Sequence, residues 1–273
     1  MTHSGADIAQ LLSAHGLRPS RALGQNFVAD PNTVRRIARL AGLGPGDRVL
    51  EIGAGLGSLT LALAETGARV VAVETDRHVV PVLRSVVEPA GVEVVEGDAL
   101  ALDLAALLAA PGDGAWSLVA NLPYNVATPL VMRTLTEVPA VTRLLVMVQR
   151  EVGERMAAAV GDDGYGSVSV RVAYFASAEV VGRVPASVFI PRPRVESVLV
   201  RLVRLPEPAV DPTVVSYERL DAVVRAGFGQ RRKMLRRSLA GVVEPDAFAR
   251  AGVRPEARAE ELDIAAWGRL AAS

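Results

Sequence analysis

The chain has 273 residues, with 30 basic and 30 acidic side chains, and half of its residues are hydrophobic. That length allows one large domain with a full core and a small second domain. Cysteine is absent, which excludes disulfides, a thiolate nucleophile and a zinc site with cysteine ligands. The three histidines are scattered and predict no metal site, and zero net charge argues against a general nucleic-acid binder.

Neither a leader nor a membrane span is predicted. The first ten residues carry Asp7 and lack a basic segment followed by an apolar run, so we expect no secretory signal. The longest nearly uncharged stretch, 104–132, is interrupted by prolines and Asn121, which disfavours a spanning helix. The expected location is therefore the cytoplasm.

From Arg48 onward, short β-branched runs alternate with longer helix-like segments. This alternation predicts an α/β fold with a doubly wound, mostly parallel sheet of the Rossmann-like type. The predicted strands are 48–52, 69–74, 92–96, 117–120 and 143–148, and helices are expected to begin near Gly57, Asp76, Asp103, Thr128 and Arg150. After a helix at 167–175, strands at 179–184 and 197–203, joined by the proline-rich segment 185–193, should extend the sheet as a hairpin-like pair.

Prolines at 206, 208 and 212 punctuate a stretch of little periodicity. We place a domain boundary there, with a Rossmann-like domain at 1–205 and a small helical domain at 206–273. The second domain should contain helical segments at 217–239 and 244–270, with Gly241 and Gly252 as breaks.

A strand, a glycine turn and a helix start follow one another at residues 49–60, which read VLEIGAGLGSLT. Glycines such as Gly53 and Gly55 let the backbone approach a nucleotide closely. The dinucleotide fingerprint would need glycine where Ser58 stands, so the spacing favours a methyltransferase over a dehydrogenase. The alternative is a tight connection between strand and helix.

Acidic residues follow the next two predicted strands. Glu74 lies about twenty residues after the glycine turn, where a carboxylate can accept hydrogen bonds from ribose hydroxyls. Asp98 follows the third strand and could receive the amino group of an adenine. The alternative for both residues is helix capping.

The fourth strand runs into Asn121-Leu122-Pro123-Tyr124, the most specific signal in the chain. An exocyclic adenine amino group is a poor nucleophile because its lone pair is delocalised into the ring. The Asn121 side-chain oxygen and the Leu122 carbonyl can each accept one amino hydrogen, which turns that lone pair toward a methyl donor. Pro123 stiffens the backbone, and Tyr124 offers a flat face for an unstacked base. The alternative is a simple turn.

With these motifs, the chain resembles the ribosomal RNA adenine dimethyltransferases, specifically the type that modifies two adjacent adenosines of the small subunit. The resemblance runs nearly end to end: Leu23-Gly24-Gln25-Asn26-Phe27, residues 51–60, Glu74, Gly97-Asp98-Ala99, residues 121–124, residues 185–197 and residues 228–236.

The resemblance implies S-adenosylmethionine as the cofactor and adds residues that spacing alone does not assign. Asn26 and the backbone at Val28 are implied to contact the cofactor together with Gly53, Glu74, Asp98 and Asn121. The family often has leucine at the position of Val28, which should not matter for a backbone contact. It often has threonine at the position of Met234, which puts any hydroxyl role there in doubt.

Three further groups are implied or expected to meet RNA. The resemblance places Phe189 near the target base, with a core phenylalanine as the alternative. Arg192 and Arg194, fixed between prolines, could meet phosphates, or they could form a solvated loop. In the tail, a cluster of cations at helical spacing with Leu235 and Leu239 favours contact with the RNA backbone over a merely solvated face: Arg231, Arg232, Lys233, Arg236 and Arg237.

The function that these observations predict is N6,N6-dimethylation of two neighbouring adenosines in 16S ribosomal RNA during small-subunit biogenesis. The expected partners are the small ribosomal subunit and its 16S RNA, with no metal and no membrane, and the protein is expected to be a monomer. Two alternatives stay open. One is the macrolide-resistance type of enzyme that acts on large-subunit RNA, and the other is a ribosome-assembly factor whose catalysis is dispensable.

Overall fold

The computed structural model describes residues 2–109 and 114–273. Within these ranges, nine β-strands have the following bounds: β1 Phe27–Val28, β2 Arg48–Ile52, β3 Arg69–Glu74, β4 Glu93–Glu96, β5 Trp116–Asn121, β6 Val141–Gln149, β7 Ala176–Val184, β8 Phe189–Ile190 and β9 Ser197–Arg204. The α-helices of the same ranges are α1 Gly5–Ala14, α2 Pro31–Ala41, α3 Ser58–Ala64, α4 Val80–Val87, α5 Leu104–Leu108, α6 Ala127–Glu137, α7 Arg150–Ala157, α8 Ser167–Phe175, α9 Tyr217–Gly229, α10 Leu235–Ser238, α11 Ala247–Ala251 and α12 Ile264–Ala272. In the part of the chain that the structure describes, no helix is both long and apolar enough to cross a bilayer.

Seven strands form the main sheet in the order β4-β3-β2-β5-β6-β9-β7. The pairs β2–β3, β2–β5, β3–β4 and β5–β6 are all parallel, so the carboxyl ends of these five strands meet at one edge. The chain winds outward from β2 in both directions, which creates a switch point between β2 and β5 at that edge. The predicted doubly wound α/β sheet is confirmed, and so is its extension by two late strands, of which β9 lies next to β6 and β7 lies at the border.

The strands of this sheet are buried because helices cover both faces of a doubly wound sheet. Every residue of β5 from Trp116 to Ala120 is buried, as is every residue of β3 from Val70 to Glu74. One core cluster joins residues of α2, α3 and α4 to the sheet, and it includes Ile37, Leu63 and Leu83. Local signals set the helix bounds, as in α2, where Asp30 caps the first turn, Pro31 occupies the first position and Gly42 ends the helix with φ of 63°.

The chain divides into two compact units. The first comprises Met1–Gly153 and Val180–Leu202, and the second comprises Glu154–Glu179 and Val203–Ser273. The second unit has its own core, in which Tyr165, Phe248 and Trp267 are buried among aliphatic side chains of α8–α12. The boundary that we predict at 205/206 stays a prediction, and the compact units differ from it because 154–179 groups with the C-terminal segment.

Both helical segments predicted for the tail differ from the structure. The segment 244–270 breaks at Gly252 as expected, but residues 253–263 contain no α-helix, and α12 begins only at Ile264. The segment 217–239 is not continuous, since α9 ends at Gly229 and residues 230–234 form a turn before α10. The helix ends at Gly229 because glycine is a weak helix former. The backbone of α10 then forms hydrogen bonds with residues 255–257 instead of with the preceding turn of a continuous helix. The backbone N–H groups of Leu235 and Arg236 donate to the carbonyls of Ala257 and Pro255 at 2.8 and 3.0 Å. The burial of Leu235 and Leu239 agrees with the predicted packing face.

Candidate active site

A cleft opens at the carboxyl edge of the sheet, where β2, β3 and β5 end side by side. Its lining brings together side chains and backbone from four separate stretches of sequence: residues 23–28, residues 51–59, Glu74 with Thr75, and residues 121–124. Apolar side chains, a few polar groups and exposed backbone thus converge at one concave place, which is the make-up of a small-molecule site.

The glycine turn after β2 forms one wall. Gly53 and Gly55 have φ of 75° and 57°, in the left-handed region that favours glycine. A Cβ atom at Gly55 would lie 3.0 Å from the Phe27 ring, and one at Gly53 would lie 3.6 Å from Pro123. Side chains at these positions would therefore fill space between the turn and its neighbours.

Glu74 ends β3 with its carboxylate buried behind this turn, and only 5% of the residue is exposed. Oε2 accepts from the backbone N–H of Gly55 at 2.8 Å, and Oε1 accepts from those of Thr75 and Asp76 at 2.9 Å each. Burial raises the pKa of Glu74, and the three backbone donors oppose that shift. A carboxylate has about four acceptor positions, so one remains for a ligand.

Glu51 is a cavity residue to which the sequence argument gave no role. Its carboxyl is 1% exposed, Oε2 has no hydrogen-bond partner among the described residues, and the same holds for the Ser58 hydroxyl. Burial raises the pKa of Glu51 to about 8; a contact with Thr60 lowers it, and the nearby Glu74 raises it. Below that pH Glu51 is a neutral acid, and the residue lines the cavity.

Asn121 and Asn26 meet across the cleft. The Asn121 Nδ2 donates to the Asn26 backbone carbonyl at 3.0 Å, so the amide nitrogen is occupied and Oδ1 is left as the acceptor of this side chain. The Asn26 side chain in turn donates to the Gly24 carbonyl at 3.0 Å. Val28 follows in β1, where it pairs with Phe189 of β8 and lines the cavity.

The loop before β1 is held against both the motif at 121–124 and the end of β3. A Cβ at Gly24 would lie 3.2 Å from the Pro123 Cβ, which shows how closely the two segments pack. Gln25 donates through Nε2 to Asp76 Oδ2 at 2.8 Å and accepts from the Ser20 backbone N–H at 2.8 Å. Sequence reasoning missed Gln25 because its partner is 51 residues away, although the residue stands inside the matched motif 23–27.

Tyr124 is half-buried at the cavity, and its hydroxyl shares a 2.7 Å hydrogen bond with the Ser197 hydroxyl. Burial raises the pKa of Tyr124, and the Ser197 contact opposes that shift. The phenol is therefore protonated at neutral pH and does not act as an ionised base.

Two residues predicted for the site do not line this cavity. Asp98 is exposed before a turn, where its Oδ1 accepts from the Leu100 backbone N–H at 2.9 Å. It does not cap the next helix either, since Asp103 caps α5. Phe189 is 3% exposed and belongs to the core cluster of the first unit, the position that the alternative interpretation gave it. The ligand contacts proposed for these two residues stay predictions.

The predicted RNA-contacting cations are exposed. Arg192 and Arg194 flank Pro193 in the loop before β9, and no side-chain partner of theirs is found in the described ranges. In the second unit, Arg231 pairs with Glu260 at 2.7 Å and Arg236 with Glu256 at 3.2 Å, whereas Arg232 and Lys233 have no such partner among the described residues. Exposed pairs of this kind contribute little and can exchange a carboxylate for a phosphate. Across the same ranges, no group of acidic or histidine side chains could hold a metal ion.

Comparison with known proteins gives consistent matches over nearly the whole chain. The curated ribosomal RNA small subunit methyltransferase A of Kineococcus radiotolerans is 45% identical over 98% of this chain and 90% of its own length. The protein of the same name from Phenylobacterium zucineum is 47% identical over 97% of this chain and 91% of its own length.

Two solved structures share the fold. A dimethyladenosine transferase from Plasmodium falciparum has a TM-score of 0.73 at 25% identity, covering 88% of this chain and 94% of its own. The 23S rRNA methyltransferase ErmE has a TM-score of 0.69 at 28% identity, covering 90% of this chain and 98% of its own. The profile of the ribosomal RNA adenine dimethylase family matches residues 17–273. This chain therefore belongs to the ribosomal RNA adenine dimethylase family.

Proposed function

We propose that this protein transfers methyl groups from S-adenosylmethionine to the N6 amino groups of two adjacent adenosines in 16S ribosomal RNA, twice each, during assembly of the small subunit. The observation that carries the proposal is the fixed Asn121 amide. Its Nδ2 is held by Asn26, so its oxygen faces the ligand as an acceptor, at a cleft built from the glycine turn and Glu74.

The residues of the cleft fit the cofactor. Glycine at positions 53 and 55 lets Pro123 and Phe27 pack directly against the turn, because a Cβ would lie 3.6 Å from Pro123 and 3.0 Å from the Phe27 ring. Glu74 retains one acceptor position for a ribose hydroxyl after its three backbone contacts. Glu51 and Ser58 present buried polar atoms that lack a protein partner among the described residues and suit the polar amino-acid end of such a molecule.

When bound, S-adenosylmethionine supplies an electrophilic methyl group on a sulfonium sulfur. In the first transfer, Asn121 Oδ1 and the Leu122 carbonyl would accept the two amino hydrogens of the adenine and so free the nitrogen lone pair for the methyl donor. In the second transfer one amino hydrogen remains for these acceptors. Each transfer forms one N–C bond, breaks the bond between sulfur and the methyl carbon, and releases one proton. Because Asn121 is already oriented by Asn26, little reorganisation is needed when the base arrives. Tyr124 supplies a flat surface for the unstacked base. Because its hydroxyl is protonated, Tyr124 does not accept the amino proton, which departs to solvent.

The small subunit is the substrate that the relatives favour. Curated relatives at 44–47% identity carry the small-subunit name, whereas the solved 23S enzyme is 28% identical. RNA contact is proposed for Arg192 and Arg194 in the first unit and for Arg231, Arg232, Lys233 and Arg236 in the second. These exposed cations give a neutral protein local positive charge for the phosphate backbone. A cytoplasmic, monomeric protein is part of the same proposal.

The test is methyl transfer to purified small and large subunits from cells that lack the endogenous enzyme, followed by mass spectrometry of the nucleosides. We expect N6,N6-dimethyladenosine in small subunits only. Product in large subunits alone would move the assignment to the resistance type. Absence of any methylated adenosine, with the protein still bound to small subunits, would favour an assembly factor.

A further inference from the structure

Ser197 is a buried residue of the first unit that ends the matched stretch 185–197 but has no role in the proposed chemistry. It begins β9, it is 0% exposed, and its hydroxyl lies 2.7 Å from the hydroxyl of Tyr124. Buried hydroxyl groups are normally hydrogen-bonded, so each of these two groups satisfies the other. The contact joins residues that are 73 positions apart in the sequence.

The backbone next to Ser197 is tied to the main sheet independently of Tyr124. The Glu196 carbonyl accepts from the Arg150 backbone N–H at 3.0 Å, where β6 gives way to α7. The side chains of the same two residues form an ion pair at 3.2 Å. Both side chains are about half exposed, so the ion pair contributes little, and the backbone bond and the strand pairing of β9 hold this position.

Tyr124 is in turn held from the side of β5. The Leu122 N–H donates to the Met147 carbonyl of β6 at 3.1 Å, and Pro123 packs on the loop at Gly24. The backbone of the motif is thus fixed by Met147 of β6, and the hydroxyl end of the Tyr124 ring is fixed by Ser197 of β9. A tyrosine has two rotatable side-chain bonds, and anchoring its hydroxyl removes most of the freedom that remains to the ring.

We propose that Ser197 is a positioning residue for methyl transfer: through its hydrogen bond it holds the Tyr124 ring in the orientation that receives the target base. This inference rests on the proposed function, in which the base lies on Tyr124. Preorganised side chains speed a reaction because no ordering cost remains at the moment of transfer. Ser197 itself need not touch the base, and the lining of the cavity does not include it.

The experiment compares Ser197→Ala, Tyr124→Phe and the double variant in single-turnover methyl transfer to unmethylated small subunits. Tyr124→Phe removes the same hydrogen bond from the other side and keeps the ring. We expect each variant to lower the transfer rate about fivefold to tenfold, the scale of one hydrogen bond, and the double variant to be no slower than the slower single variant. The dissociation constant for S-adenosylmethionine, measured by calorimetry, should change less than about twofold, because a purely kinetic loss leaves ground-state binding intact.

Ser117→Ala is the matched control, since Ser117 is also buried in the main sheet but lies near the amino end of β5. It should leave both the rate and the cofactor affinity unchanged. An unchanged rate in Ser197→Ala, multiplicative losses in the double variant, or a loss of cofactor affinity equal to the loss of rate would each overturn the positioning role. A wild-type protein that methylates no adenosine would overturn the proposed function, and this inference with it.

Discussion

Asn121 donates its side-chain amide to the backbone carbonyl of Asn26 across 3.0 Å, which joins the end of β5 to the segment before β1. Two stretches that lie 95 residues apart thereby form opposite sides of one cleft. The hydrogen bond engages the nitrogen end of the Asn121 amide with the protein and leaves Oδ1 as an acceptor. An acceptor at that position suits an amino group, and a donor would not.

Replacing Asn121 by alanine removes this acceptor. We expect Asn121→Ala to lower methyl transfer by at least about 100-fold, the scale for one preorganised polar group in an active site, and to fold normally because residue 121 is only partly buried. Single-turnover kinetics and thermal unfolding check the two parts. Asn32→Ala, at an exposed position of α2, is the control and should retain the wild-type rate. Full activity in Asn121→Ala would contradict the lone-pair mechanism.

Gly55 and Gly42 form a matched pair for testing whether the glycine turn at 53–57 binds the cofactor. Both have a positive φ, 57° and 63°, but a Cβ would meet the Phe27 ring at 3.0 Å only at Gly55, whereas nothing lies within 4 Å at Gly42. Alanine at either position should reduce the free energy of unfolding by about 1–2 kcal/mol because of the left-handed backbone. Only Gly55→Ala should also weaken S-adenosylmethionine binding, by more than about tenfold, as measured by calorimetry. Equal affinities of the two variants for S-adenosylmethionine would argue against a role of the glycine turn in cofactor binding.

Glu51 should make the stability of the protein depend on pH. Its pKa rises from the ordinary 4.5 to about 8 on folding, so the folded state binds the proton more tightly than the unfolded state does. The resulting stabilisation is complete below pH 4.5 and is lost as the pH rises through 8. We expect the free energy of unfolding contributed by this group to fall by about 2–4 kcal/mol between pH 5 and pH 8.

Denaturant unfolding of wild type and Glu51→Gln over that pH range measures this effect. The glutamine side chain does not titrate, so the variant should lose most of the pH dependence. Glu93→Gln, at an exposed carboxylate that pairs with Arg69, serves as the control and should behave as wild type. Identical pH profiles for wild type and Glu51→Gln would mean that Glu51 is not protonated in the folded protein.

Arg232 and Lys233 test the proposed RNA contact of the second unit. Both are exposed in the turn between α9 and α10. If each meets a phosphate, the double alanine variant should weaken small-subunit binding and lower the slope of log K against log salt by about one per cation lost. Arg250→Ala, at an exposed arginine of α11 that pairs with Asp246, should leave the slope unchanged. If the double variant bound the small subunit more weakly with no change in the salt slope, Arg232 and Lys233 would not contact phosphates.

The sequence alone determined the architecture and the chemistry of the motif. Short β-branched runs mark strands that are buried on both faces, and they alternate with helix-like segments, so the five parallel strands were predicted to within about two residues at each end. Because parallel strands bring their carboxyl ends to one edge, the convergence of Gly53, Glu74 and Asn121 also followed from the pattern, and the structure places all three at one cavity. The residue types at 121–124 predicted that the methyl group is transferred to an amino group.

Tertiary structure decided which side chains complete the cleft and which do not. The partners Asn26, Gln25 and Ser197 of the site lie 51 to 95 residues from Asn121, Asp76 and Tyr124, and no local periodicity encodes such pairings. Asp98 was expected at the site from its place after a strand, and Phe189 from the family resemblance. The structure has Asp98 exposed beside a turn and Phe189 buried in the core, and such environments are settled only when all elements pack. The break after α9 has the same cause: carbonyls of residues 255 and 257 pair with the backbone of α10, a partnership visible only in the folded chain.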